Sequence, residues 1–557
     1  MQSAQNTFSI SGQIVDVFSE QVFPGTLQVE NGIIKKITKD KSAPDHYILP
    51  GFVDAHIHIE SSMLTPSEFA RVAVIHGTVG TVSDPHEIAN VLGMEGVKYM
   101  IRDGRKVPFK FNFSAPSCVP ATRFESSGAR LGADEVDELL AMPEIRYLGE
   151  VMNYPDVIAR EDETMKKIKA AQDRHKPLDG HAPGLRGEGL KKYVSAGIST
   201  DHECFQKEEA LEKLEQGMKI LIREGSAARN FDELIPILGE HYEYCMFCSD
   251  DKHPDELAKG HINQLVKRAL DYGHDVMKVL KAACVNPVQH YGLDIGLLQE
   301  GDPADFIVVD KLDVDQFNIL KTYINGQCVS EDGQSLIERN TSKVINKFNT
   351  GFKKPEEFEV KYEGGRLLVI EATEGQLITE KMLYQPKIND GRVIPDTERD
   401  ILKLTVVNRY GDADPAVAFI KNFGLQKGAL ATSVAHDSHN ILAVGTRDEA
   451  IARAVNLLIE NKGGVAALSD DEEKILPLPI AGLISDLPYD EVSKRYQVIR
   501  EFAGTLGCTL QAPFITLSFM ALLVIPKLKL SDKGLFDGEV FEFVDLFEKG
   551  VNTGVDS

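Results

Sequence analysis

Leu49-Pro50-Gly51-Phe52-Val53-Asp54-Ala55-His56-Ile57-His58 reads as an apolar strand carrying two histidines, spaced by one, at its C-terminal end. Residues i and i+2 of a strand point to one side, so both imidazoles can reach one ion. Taken alone, a His-x-His pair is as often structural as ligating. Its weight comes from the residues downstream. The run 145–149 ends in Glu150, 176–180 in His181, 196–201 in His202, and 244–249 in Asp250. Four imidazoles and two carboxylates, each at the mouth of a strand, suit a pair of borderline-hard divalent cations sharing a bridging oxygen ligand.

The segments between these strands are mostly long enough for a helix that returns to the start of the next one. That is the rhythm of a (β/α)8 barrel, with further strands expected at 78–83, 109–115 and 218–223 to complete eight. All six ligand candidates then lie on the C-terminal face, where barrels keep their chemistry.

Outside the barrel, residues 8–15, 27–37 and 305–309 read as antiparallel β, with Asn31-Gly32 as a hairpin turn. The fold class expected is therefore α/β, in three parts. A TIM-like barrel spans 50–289, a small composite β domain draws on 1–49 and 290–345, and a C-terminal α/β or α+β domain covers 350–557.

Composition limits the function. A chain of 557 residues, 43% hydrophobic, can bury a large core in two or three domains. Against 61 basic residues stand 85 acidic ones, a formal charge of −24 that repels phosphate backbones and anionic lipid surfaces. A small molecule is expected as substrate, with neither nucleic acid nor membrane as partner. Seven cysteines, an odd number, read as reduced thiols of a cytoplasmic protein. The stretch Met1 to Thr7 lacks the basic-then-apolar pattern of a secretory signal. The most apolar run, 514–525, contains Thr516 and Ser518 and stops at Pro526, which suits a buried core segment.

Several longer motifs resemble the amidohydrolase superfamily and, within it, the bacterial adenine deaminases, over essentially the whole chain. They are Pro50 to Met63, whose Glu60-Ser61-Ser62-Met63 ending is the more specific part, then Asp84-Pro85-His86-Glu87-Ile88-Ala89-Asn90-Val91 and Ser249-Asp250-Asp251-Lys252-His253-Pro254. Val434-Ala435-His436-Asp437-Ser438-His439-Asn440 is similar to the C-terminal domain of those enzymes. The resemblance implies hydrolysis of adenine to hypoxanthine and ammonia in purine salvage, cleaving the C–N bond of a cyclic amidine, with adenine and water as partners of a homo-oligomer. It implies two divalent ions, with Mn(II) or Fe(II) favoured and Zn(II) admissible. His56, His58 and Asp250 would hold one ion, His181 and His202 the other, and Glu150 would bridge them, with Asp250 moving the proton. A bridging lysine marks many cyclic-amide hydrolases; Glu150 stands in its place here.

Supporting roles are expected from Glu60, His86, Glu87, Asp251 and His253. Glu60, if the strand continues past His58, would touch the purine or a supporting histidine, or else form a plain salt bridge. His86 and Glu87 would meet substrate or an additional ion, or else support the ligands from behind, and His253 would aid proton transfer or else sit on a surface loop. His436 and His439 reach the site only if a C-terminal domain folds over the barrel mouth. His58-Ile59-Glu60 with Cys245 and Cys248 superficially echoes the zinc-dependent cytidine-type deaminases. Tyr244 stands where their proline would be, and strand alternation sends the two cysteines to opposite faces, so both read as buried apolar residues. A cyclic-amide hydrolase and a catalytically silent scaffold remain the alternatives.

Overall fold

The computed structural model describes residues 7–313 and 317–548. Thr7–Asp16 (β1) and Gln21–Glu30 (β2) pair antiparallel, and Ile33–Lys39 (β3) is joined to β2 through a hairpin. At its tip Asn31 and Gly32 take φ of 52° and 80°. Two positive φ values are what a type I′ turn requires. Tyr47–Pro50 (β4) then lies parallel to β1. At Gly51 the backbone passes so close to the next strand but one that a Cβ would sit 2.3 Å from Val79. Only glycine fits there.

The barrel strands come next: Phe52–Ile57 (β5), Thr78–Ser83 (β6), Lys110–Ala115 (β7), Ile145–Val151 (β8), Leu178–Gly180 (β9), Thr200–Asp201 (β10), Lys219–Arg223 (β11) and Cys245–Cys248 (β12). β5 to β9 pair in parallel in chain order, as do β10 to β12. Two hydrogen bonds join these arcs into a ring. Ser199 N–H donates to the Leu178 carbonyl at 3.1 Å, and Asp250 N–H donates to the His56 carbonyl at 2.9 Å. Every strand expected from sequence is present. Helices pack outside the ring by their apolar stripes; Ile262–Asp271, for example, buries Ile262, Leu265, Val266 and Ala269, spaced for one face.

After the barrel, Phe306–Val309 (β13), Ile319–Ile324 (β14), Gln327–Glu331 (β15) and Gln334–Ser335 (β16) join β1 to β4 in one eight-stranded sheet, with β13 antiparallel to β4. The remaining chain builds a second, nine-stranded sheet in which Ile401–Val407, Ile441–Gly445, Ala429–Thr432 and Gly464–Leu468 are central neighbours, all paired antiparallel. The helix Asp448–Glu460 covers one face with a stripe from Ala450 to Ile459. Among the described residues, no helix is long and apolar enough to cross a membrane.

Closure of the ring depends on a buried carboxylate. Asp54, on β5, accepts from Ser249 N–H at 3.1 Å, from the Ser249 hydroxyl, and from His261 Nε2–H at 2.7 Å, with all three residues out of water. These bonds tie the first strand to the chain leaving the last. Asp54→Ala strands several buried donors at about 1–3 kcal/mol each. We expect a fall of that size in stability to denaturant; an unchanged midpoint would remove Asp54 as the clasp.

Candidate metal centre and substrate cavity

At the C-terminal mouth of the barrel the strand ends converge. β5 delivers His56 and His58; their Nε2 atoms lie 3.2 Å apart. His58 Nδ1–H donates to the Asp84 carbonyl at 3.0 Å, which fixes the tautomer and leaves Nε2 with its lone pair facing inward. That nitrogen is 3.1 Å from Asp250 Oδ1 and 3.3 Å from Glu150 Oε1. The other Glu150 oxygen is 2.6 Å from His181 Nδ1 and 3.3 Å from His202 Nε2. Glu150 therefore stands between two pairs of histidines. The His56 and His202 rings stack with centroids 4.0 Å apart.

Local structure holds each of these groups. Glu150 N–H donates to Asp84 Oδ2 at 3.0 Å, and the Ser117 hydroxyl donates to the Glu150 carbonyl at 2.5 Å. His181 N–H donates to the Tyr193 hydroxyl, which donates onward to Val151 O on β8. Asp250 takes a left-handed φ of 52°, turning its carboxylate back over the mouth as the chain leaves β12.

The donor set fits divalent cations. Glu150, Asp250, His56, His58 and His202 are buried, and their inward atoms fall into groups within 4.8 Å of one another, namely His56 with His58 and Asp250, and His56 with Glu150 and His202. Lone pairs on imidazole and carboxylate repel at these distances unless a cation or proton lies between them. Buried His56 Nδ1 and His181 Nε2 lack a hydrogen-bond partner. Burial works against ionisation of Glu150, yet His181, His202 and His58 hold its carboxyl well below the usual range. No thiolate enters the set; Cys245 and Cys248 are buried free thiols.

Two residues missed in the sequence complete the mouth. Arg223, the last residue of β11, donates from Nη1 to Asp250 Oδ2 at 2.5 Å and also pairs with Glu203. Glu203 in turn lies 3.5 Å from His202 Nε2 and 3.7 Å from His181 Nδ1. Against burial, Arg223 and His58 keep the Asp250 carboxyl well below its ordinary range. A charged residue closing a barrel strand was the available signal for Arg223, and adjacency to His202 the one for Glu203.

The expected supporting residues divide. His86, Glu87 and Asp251 line the cavity, together with His436 and Asp437 from the C-terminal sheet. His436 Nδ1 lies 2.6 Å from Glu87 Oε1, and His439 Nε2 contacts Glu87 Oε2. Glu60 is a correction: the strand stops at Ile57, and Ile59–Ser62 coils into a 3₁₀ turn. Its carboxylate accepts Ile88 N–H at 3.1 Å, and burial, with Glu87 nearby, pushes its carboxyl up to about 7. His253 is a second correction. It is not among the residues that line the cavity; its Nδ1 meets the Tyr496 hydroxyl at 2.5 Å, and burial pushes the ring down to about 4. Residues 514–525, expected as plain core, border the cavity through Phe519, Leu522 and Val524, with Leu377 beside them.

The amidohydrolase family model matches residues 47–329, and the adenine deaminase C-terminal domain model matches residues 376–542. Adenine deaminase from Salinibacter ruber is 57% identical over 97% of this chain and 99% of its own. Those from Sulfurovum sp. and Methanosarcina mazei are 55% and 52% identical, over 95% and 96% of this chain and 98% and 99% of theirs. The chain belongs to the adenine deaminase family. The two family-matched regions, barrel and C-terminal sheet, border one cavity between them.

Arg223→Met keeps the side-chain bulk and removes the charge between Glu203 and Asp250. Two facing carboxylates then raise each other, so Asp250 stays protonated to higher pH. The acid limb of the pH–rate profile should move to higher pH, with loss at neutral pH of about 10-fold or more, as for other partners that orient a reactive group. An unchanged profile would show that Arg223 does not set Asp250.

Proposed function

We propose that the chain hydrolyses adenine to hypoxanthine and ammonia. Supporting this reading is one observation above others: full-length relatives of that name, together with a carboxylate, Glu150, placed between two histidine pairs at the barrel mouth. In this reading His56, His58 and Asp250 would hold one divalent cation, His181 and His202 would hold a second, and Glu150 would serve both. When bound, such cations would supply Lewis acidity that lowers the pKa of water at the site. Imidazole and carboxylate donors without thiolate admit Mn(II), Fe(II) or Zn(II), and the family resemblance favours Mn(II) or Fe(II).

The protein's own groups then divide the work. Asp250, with Oδ2 tied to Arg223 and Oδ1 turned to the histidines, accepts the proton of the attacking water. As the C6–O bond forms and the C6–N bond breaks, Asp250 passes that proton to the departing amino nitrogen. Arg223 keeps the carboxylate ionised between cycles, and Glu203 holds Arg223. Leu377, Phe519, Leu522 and Val524 supply an apolar wall for a flat heterocycle and exclude bulk water.

A role in purine salvage and a home in the cytoplasm accompany the same reading, and the seven free cysteines accord with a reducing compartment. Residues 50–289 would carry the ligands while 350–557 close the cavity.

Asp250→Asn should retain most of the bound metal while lowering adenine turnover by at least about 100-fold, the scale of a lost general acid–base. Retained activity would remove Asp250 from proton transfer. Ring opening of a hydantoin by the native chain, without ammonia from adenine, would favour a cyclic-amide hydrolase instead.

A further inference from the structure

A second cluster of donors lines the same cavity beside the first and is built from two distant parts of the chain. His86 and Glu87 begin the helix His86–Leu92 just beyond β6. His436, Asp437 and His439 come from the turn that joins the central strands Ala429–Thr432 and Ile441–Gly445. That turn is well anchored. His439 N–H donates to the Ala435 carbonyl at 2.7 Å, the Asn440 amide donates to Ser126 O at 2.8 Å, and Arg409 N–H donates to Asn440 Oδ1 at 3.2 Å.

The donor atoms converge on one point. His436 Nδ1 is 2.6 Å from Glu87 Oε1 and 4.0 Å from Asp437 Oδ1, while His86 Nε2 is 3.5 Å and 3.9 Å from the same two oxygens. Ligands each about 2.0–2.2 Å from a shared ion lie about 3–4 Å from one another, so three of these four spacings suit ligands of one cation, and His436 Nδ1 and Glu87 Oε1, now at hydrogen-bond distance, would part to admit it. His439 has a different part. Its Nδ1 accepts from Ala435 N–H at 3.3 Å, and its Nε2 stands against Glu87 Oε2. A histidine that orients a ligand's far oxygen is a common support for a metal site.

Charge favours the same conclusion. Glu87 and Asp437 are buried, and among the described residues neither pairs with a lysine or arginine. Asp437 Oδ2 lacks a hydrogen-bond partner. Buried carboxylates need a compensating positive charge. His86 Nδ1, also without a hydrogen-bond partner, faces Glu150 Oε1 at 3.4 Å, so this ring stands between the two clusters.

The geometry points to a third divalent-cation site formed by His86, Glu87, His436 and Asp437, oriented by His439 and distinct from the six-residue set around Glu150. Two imidazoles and two carboxylates without a thiol select a first-row cation such as Mn(II), Fe(II) or Zn(II). Because its ligands come from the barrel and from the C-terminal sheet, the ion would fasten the two together and put positive charge in the cavity wall.

The test is a metal count on the full chain, stripped with a chelator, reloaded with Mn(II) and desalted. Native protein should hold about one ion per chain more than His436→Ala or Glu87→Gln. That difference stands whatever the occupancy of the six-residue set, so failure of the catalytic reading would lower all counts without erasing it. In crystals of the native chain grown with Mn(II), anomalous density should appear between His86 Nε2 and His436 Nδ1, a readout that does not depend on either variant folding. Equal counts in native and variant protein, with no anomalous peak there, overturn the site. Weakened adenine binding by His436→Ala at an unchanged count would make His436 a substrate contact and overturn it as well.

Discussion

Negative charge and lone pairs packed into a dry barrel mouth are the constraint on which the rest of this molecule depends. Glu150 and Asp250 face five histidines, and Arg223 is the one arginine or lysine paired with either carboxylate among the described residues. Left to themselves such groups repel or stay unsolvated, at a cost of several kcal/mol per buried ion. A rigid frame must hold them, and a positive partner must be available. The closed ring of parallel strands supplies the frame, since each donor sits at a strand end whose direction its neighbours fix.

The surrounding contacts serve that frame. Asp84 holds Glu150 through its backbone N–H and takes the Ser114 hydroxyl at 2.6 Å. Asp179, 3.9 Å from His56 Nδ1, accepts from the Tyr291 and Thr200 hydroxyls. Asp54 draws β5 to the chain after β12. Carboxylates one layer below the mouth thus repeatedly orient the groups at its surface, the pattern expected where metal-binding side chains must keep one rotamer.

Much of this was legible in the sequence because period-2 runs ending in His, Glu or Asp mark both a strand and where it ends. Five of the eight barrel strands and the six donors come from that signal, and the strands at 78–83, 109–115 and 218–223 from the barrel rhythm that the five imply. What escaped it depended on geometry beyond the strand. Glu60 was expected on a strand face, but the left-handed turn at Met63 and the coil before it carry it onto the helix His86–Leu92. Arg223 and Glu203 look like an ordinary strand end and loop in sequence; only the curvature of the ring points them at each other. His436 and His439 lie some 350 residues from Glu87, and no local pattern reports a contact of that span. The apolar run 514–525 carries the signature of core, and a cavity wall has the same composition as a core until something enters it.

Metal-dependent turnover of adenine is the most direct test. The purified chain, stripped of metal, should release no hypoxanthine or ammonia from adenine, and activity should return in proportion to Mn(II) bound as the ion is added back and counted. Full turnover by a chain that holds no metal would contradict the account, since the crowding of donors at the barrel mouth would then need another purpose.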